Sequence, residues 1–187
     1  MTDIYLCRHG RTPLNAAGTL RGRLDPDLDM IGMSEARGLS EHLKNIPFSM
    51  LLSSPLLRAV QTAADLSDEL GLPVETDARL LDRDYGQFNG EQESVLIKEY
   101  GSVDATPGVE SLEDVTSRAL SLISEVVQAP GPVAIITHCV VLRMILDALV
   151  PLDENRGHMN PRTGSWSLIR FEEGSWSPIR LNSKDMA

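Results

Sequence analysis

Cysteine is scarce in this chain: Cys7 and Cys139 are the only two in 187 residues. Two residues so far apart make no disulfide framework, and no paired spacing points to zinc. The four histidines include no HExxH-type pair, so a metal site is not expected and no cofactor is called for. Lysine is almost as rare, three against fourteen arginines. With a net charge of −10 and a pI near 4.8 and no basic stripe, nucleic acid and anionic membrane surfaces are not expected as partners. No apolar run approaches the roughly 20 residues of a membrane span, and no basic-then-apolar leader opens the chain. The expectation is a cytoplasmic soluble protein. Repeats, linkers and low-complexity tracts are missing too, which makes one domain over 1–187 the default.

What is present begins with Ile4-Tyr5-Leu6-Cys7. This short apolar run stops at Arg8-His9-Gly10 and reads as a buried strand ending in a turn. A polar loop rich in Gly, Arg, Asp and Pro follows over 16–30. Helix signals start at Ser34, with Ala36, Leu39, Leu43 and Ile46 about one turn apart, for a helix near 31–45. Residues 48–52 read as a second strand. Ser54 can cap a helix over roughly 55–70 with Pro55 at its first position, and Gly71 ends it. A short strand over 73–76 leads into a loop over 80–90. A short helix over 91–100 and a helix from Ser111 to about Val127 come next. Val133 to Thr137 is an apolar, β-branched run, hence a strand buried on both faces. A helix near 140–149 precedes Pro151. Two alternating stretches, 165–171 and 176–181, flank Glu173-Gly174 as a hairpin at a sheet edge. Such an edge can pair between chains, so a homodimer is open. Strands alternating with helices predict a three-layer α/β/α sandwich with a mainly parallel central sheet and an antiparallel edge strand.

In such sheets ligands bind at the carboxyl ends of the strands. The first strand delivers Arg8 and His9 there, the second Ser53 and Ser54 with Arg58 one turn on, and the fourth His138. The third leads to Asp82 and Asp84. A guanidinium is a planar fork of donors suited to phosphate, and a neutral imidazole can attack phosphorus. Taken singly, each has an ordinary alternative: a surface arginine, a satisfied histidine, solvated turn aspartates, and cysteines acting as small buried hydrophobes. His42 and His158 have no such company and read as surface residues. Arg8, Arg11, Arg21 and Arg23 crowd the first 23 residues of an acidic chain, which points to a local anion site.

Four patches, in order, resemble the histidine phosphatase superfamily, with its phosphoglycerate-mutase-like fold. They are Arg8-His9-Gly10-Arg11-Thr12-Pro13-Leu14-Asn15; Ser54-Pro55-Leu56-Leu57-Arg58-Ala59-Val60-Gln61-Thr62-Ala63; Leu81-Asp82-Arg83-Asp84-Tyr85-Gly86 with Asn89-Gly90; and Ile136-Thr137-His138. A weaker fifth runs from Pro107-Gly108-Val109-Glu110-Ser111 to Arg118. The resemblance implies a small-molecule phosphate monoesterase that uses no metal. His9 is then the nucleophile, and Arg8, Arg58 and His138 hold the phosphoryl oxygens. Asn15 frames the pocket, and a carboxyl in the 82–84 loop is the general acid. Three departures stand out. Asp82 occupies the usual glutamate position, leaving Asp84 as a second candidate. Arg21, before Gly22, replaces a small or neutral residue, so that it either contacts substrate or closes the pocket. Cys139 replaces a glycine. The alternatives are a phosphoglycerate-mutase-type phosphotransferase and a phospho-ligand-binding protein with little turnover. Only residues 91–106 separate Gly90 from Pro107, too few for the insertion that the resemblance associates with mutases.

Overall fold

The first strand, β1 (Thr2–Arg8), sends side chains to both faces of a sheet. Ile4 and Leu6 enter one apolar core, Tyr5 and Cys7 the other. β4 (Val133–Thr137) repeats this, with Val133 and Ile135 on one side and Ala134 and Ile136 on the other. Strands apolar on both faces must be covered on both. Helices α5 (Leu112–Val126) and α6 (Cys139–Leu149) cover the first face. Helices α2 (Met30–Leu43) and α3 (Leu57–Leu70) cover the second. Each side chain fully buried this way contributes about 1.5–3 kcal/mol, so packing rather than helix propensity holds the three layers together.

The computed structural model describes residues 1–150 and 159–185; His158 and Pro151 therefore lie outside the described residues. The sheet has six strands in the order β3-β2-β4-β1-β5-β6, where β2 is Met50–Ser53, β3 Val74–Thr76, β5 Trp166–Glu172 and β6 Ser175–Ser183. β1, β2, β3 and β4 run parallel, β5 is antiparallel to β1, and β6 is antiparallel to β5. The α/β sandwich with a mainly parallel sheet is as the sequence predicts, and its antiparallel edge is a two-stranded hairpin. A satellite cluster of Leu20, Tyr85 and Leu96 seats α4 (Glu93–Tyr100) over the 16–30 loop. No described helix is long and apolar enough to cross a membrane.

α2 spans Met30–Leu43, close to the helix expected near 31–45, and Asp29 caps it by accepting from Gly32 N at 2.8 Å. One local expectation fails for a physical reason. Ser54 does not cap α3, which begins at Leu57. Leu57 N donates instead to Asp25 Oδ1 at 2.7 Å, a carboxylate from a distant loop that no local pattern reveals. A further one-turn helix, α1 (Pro13–Ala16), is closed by Thr12 and Asn15 in a reciprocal capping box.

Candidate active site

Register brings the two histidines together. Arg8 is paired with Thr137 across β1 and β4, so the chain emerges from both strands at one level. His9 N donates to Thr137 O at 3.0 Å. The His9 and His138 rings lie 5.1 Å apart, both fully buried. The turn after His9 works because Gly10 and Gly32 let two backbones touch. A Cβ on Gly10 would sit 2.4 Å from Gly32 O, and one on Gly32 would sit 2.0 Å from Arg11 O. Gly10 N is fixed by donating to Thr62 Oγ1 on α3 at 3.0 Å.

His9 Nδ1 is 2.6 Å from Gly10 O. A carbonyl can only accept, so the proton is on Nδ1 and Nε2 carries the lone pair. That Nε2 is buried and, among the described residues, has no hydrogen-bond partner. His138 Nε2 lies 2.7 Å from Ser54 Oγ, and its Nδ1 is also buried and unpartnered. Burial, and then the neighbouring His138, Arg58 and Arg8, hold His9 well below the ordinary imidazole pKa. Burial, and then Arg58, Arg21 and Arg8, do the same to His138. Both rings are therefore neutral at pH 7.

Arg58 is completely buried on the first turn of α3. It donates to Leu24 O at 2.7 Å, Gly22 O at 3.1 Å and Asp82 Oδ2 at 3.0 Å. It thus pins the 16–30 loop while holding the acid loop. Arg8 donates to Pro161 O at 2.5 Å. Burial lowers the pKa of both guanidiniums, which nonetheless remain cationic. The Nε atoms of Arg8, Arg21 and Arg58 are buried without partners among the described residues, so three cations keep donors in reserve. Gly22 is at φ +46, where a Cβ would lie 1.9 Å from Asn89 Oδ1.

The two candidate acids separate clearly. Asp82 is buried beside Arg58, with Oδ2 3.7 Å from His138 Nδ1. Asp84 does not join this cluster. Its side chain is 43% exposed, and Oδ1 accepts from Gly86 N and Asn89 Nδ2 as a turn residue. Sequence reasoning noted the 107–118 patch without assigning it work. Its residues brace the acid loop: Arg118 donates to Arg79 O at 2.7 Å and to Glu110 Oε1 at 2.8 Å, while Asp84 N donates to Glu110 Oε2 at 2.9 Å. Ser54 is also placed at the site, as the partner of His138.

A cleft of about 890 Å³ opens over Arg8, Arg21 and Asn15. Asn15 borders it while its Oδ1 accepts from Thr12 N and Oγ1. Cys7 is a buried core residue whose thiol pKa burial raises, whereas Cys139 is partly exposed and lines the cleft. His42 is half-buried on α2, away from this cluster. Among the described residues, no group of three His, Cys, Asp or Glu side chains is placed to hold a metal ion.

Fold and site together define an α/β protein whose strand ends carry two buried neutral imidazoles among arginine side chains. The chain belongs to the histidine phosphatase superfamily: residues 4–184 match the family described as histidine phosphatase superfamily (branch 1). It is 30% identical to the uncharacterized phosphatase PhoE of Bacillus subtilis over 178 residues, covering 94% of this chain and 92% of that one. Among solved structures it resembles Bacillus stearothermophilus YhfR, with TM-score 0.88, 25% identity and coverage of 100% and 98% of the two chains. It also resembles the mycobacterial glucosyl-3-phosphoglycerate phosphatase solved with VO3, with TM-score 0.86, 25% identity and coverage of 97% and 99%.

Proposed function

We propose that this protein is a phosphatase that hydrolyses small-molecule phosphate monoesters through a phosphohistidine on His9. The observation that carries this reading is His9 Nε2: buried, unprotonated, without a partner, and ringed by Arg8, Arg58 and His138. In the first step Nε2 attacks phosphorus and the P–O ester bond breaks. The leaving oxygen takes a proton from the Asp82 carboxyl. In the second, water attacks phosphorus and gives its proton to the Asp82 carboxylate, and the P–N bond breaks, releasing inorganic phosphate and neutral His9.

Arg8 and Arg58 offer their unused donors to the phosphoryl oxygens, where charge develops in flight. Phosphoryl oxygens compete with Asp82 Oδ2 for Arg58, which frees the carboxyl for proton transfer. The tautomer in which Ser54 donates to His138 Nε2 leaves a proton on Nδ1, facing the same oxygens. Every charge-neutralising role is filled by a side chain, so no metal enters the scheme.

Phosphate release from a panel of alkyl and aryl phosphates, in EDTA, tests the proposal. Steady release at an EDTA-independent rate is expected. Phosphoryl transfer between two alcohols without net release would point to a phosphotransferase, and binding without either would point to a ligand-binding protein. Restoration of a chelated, inactive protein by a divalent ion would refute the metal-free scheme.

A further inference from the structure

Arg8 is set apart from the other pocket residues by how its side chain is held. Its backbone is strand, but its guanidinium donates to Pro161 O, in the turn over 161–165 that leads into β5. That turn has no helix or strand of its own. On one side it is tied to β1 by backbone bonds. Gly164 N donates to Arg8 O and His9 O, both at 3.2 Å, and Arg8 N donates to Ser165 O at 2.9 Å. On the other side it leans on a carboxylate of α2, Glu35.

Glu35 gathers donors from three segments that are distant in sequence, with its side chain only 15% exposed. Its Oε2 accepts from Arg11 N at 2.8 Å, in the turn after His9. Its Oε1 accepts from Thr163 Oγ1 at 2.9 Å and from Lys184 Nζ at 2.7 Å. Gly164 packs directly on it: a Cβ there would sit 2.6 Å from Glu35 Cβ. A largely buried carboxylate is costly unless its oxygens are filled, and here both are. The Glu35 charge also acts on Arg8: burial lowers the guanidinium pKa, and Glu35 is among the charges that oppose this. The acid is held separately, Asp82 by Arg58 and by Arg83 N.

Resting on the phosphatase reading above, we infer that Glu35 is a positioning residue: it clamps the 161–165 turn and the turn after His9 to α2, and so aims the Arg8 guanidinium at the transferred phosphoryl group. Lys184, beyond β6, closes the clamp. Glu35 acts through Pro161 O. When the turn drifts, Arg8 loses the fixed fork in which two N–H donors meet two phosphate oxygens. A carboxylate suits the place because it accepts from three donors at once.

A double-mutant cycle tests this, read as affinity for inorganic phosphate by NMR titration and as kcat/KM for phenyl phosphate. Glu35→Ala should weaken phosphate binding by about 10–100-fold, the scale of a hydrogen bond to a charged group. In an Arg8→Gln background the same substitution should cost less than about twofold, because the group it serves is gone. A brace that only stabilises the fold costs the same in both backgrounds, so equal losses overturn the inference, as does unchanged affinity in Glu35→Ala. The leaving-group dependence of kcat/KM, set by Asp82, should be the same in Glu35→Ala as in the wild type, and a changed dependence also overturns it. Should Glu35→Ala not fold, the Thr163→Val, Lys184→Met double variant carries the same cycle, and its loss must likewise vanish in the Arg8→Gln background. If the wild type binds phosphate but hydrolyses no ester, the phosphatase reading fails and the cycle in affinity still decides the role of Glu35. If it hydrolyses esters and the losses are equal, the phosphatase reading stands and Glu35 is structural only. A wild type that neither binds phosphate nor hydrolyses esters overturns both.

Discussion

The inner pocket and the outer cleft are built on different principles. In the pocket, His9, His138 and Arg58 are fully buried, and their backbones belong to strand ends or a helix turn. Their geometry is a by-product of sheet register and two glycine contacts. In the cleft, Arg21, Arg143 and Arg162 come from a loop, a helix flank and a second loop, with few fixed partners. Side chains on strand ends and helix turns are held rigidly, whereas loop positions around the cleft that do not touch them can vary without disturbing them.

The sharpest way to break this contrast is at the nucleophile. His9→Asn should lower kcat by about 10⁴–10⁶-fold on every ester, since nothing else in the pocket can take its place. A substrate-dependent loss would mean that pocket and cleft are not separable. Next comes the acid. Asp82→Asn should cost about 10²–10⁴-fold on alkyl phosphates and much less on nitrophenyl phosphate, whose leaving group needs no proton. Asp84→Asn should show no such leaving-group dependence, and the reverse pattern would move the acid two residues along the loop.

Smaller effects concern the frame. Gly10→Ala forces a Cβ to within 2.4 Å of Gly32 O, a backbone atom that cannot swing aside. It should destabilise the fold by about 1–3 kcal/mol, the usual range for overpacking, as read by urea denaturation. The pH dependence follows from the depressed histidines. As pH falls through about 6.5, His9 and His138 take up protons in the unfolded chain but not in the folded one. Unfolding is thereby favoured, so stability should decline from pH 7 toward pH 5.5. A His9→Asn, His138→Asn double variant should show a flatter curve over that window, and parallel curves would show that the rings are not held neutral by the fold.

The layered fold was legible in the sequence because its strands are short apolar runs and its helices are amphipathic at helical spacing. Arg8, His9 and His138 were legible for the same reason, each being the polar residue that terminates an apolar strand. Ser54 was misread because Ser-Pro is a local capping pattern, and the competing cap, Asp25, is a contact from 32 residues away. The Glu110 and Arg118 braces carried a visible motif but no visible target. Arg143 and Arg162 left no periodic trace.

The most direct test of the central claim is to trap the intermediate. Wild-type protein mixed with ³²P-labelled alkyl phosphate and quenched within milliseconds should yield a phosphoenzyme that is labile in acid and stable in alkali. Peptide mapping in alkali should place the label on His9, and His9→Asn should carry none. Label on any other residue, or turnover at a normal rate with no trapped phosphoryl group in wild type and variant alike, would contradict the account.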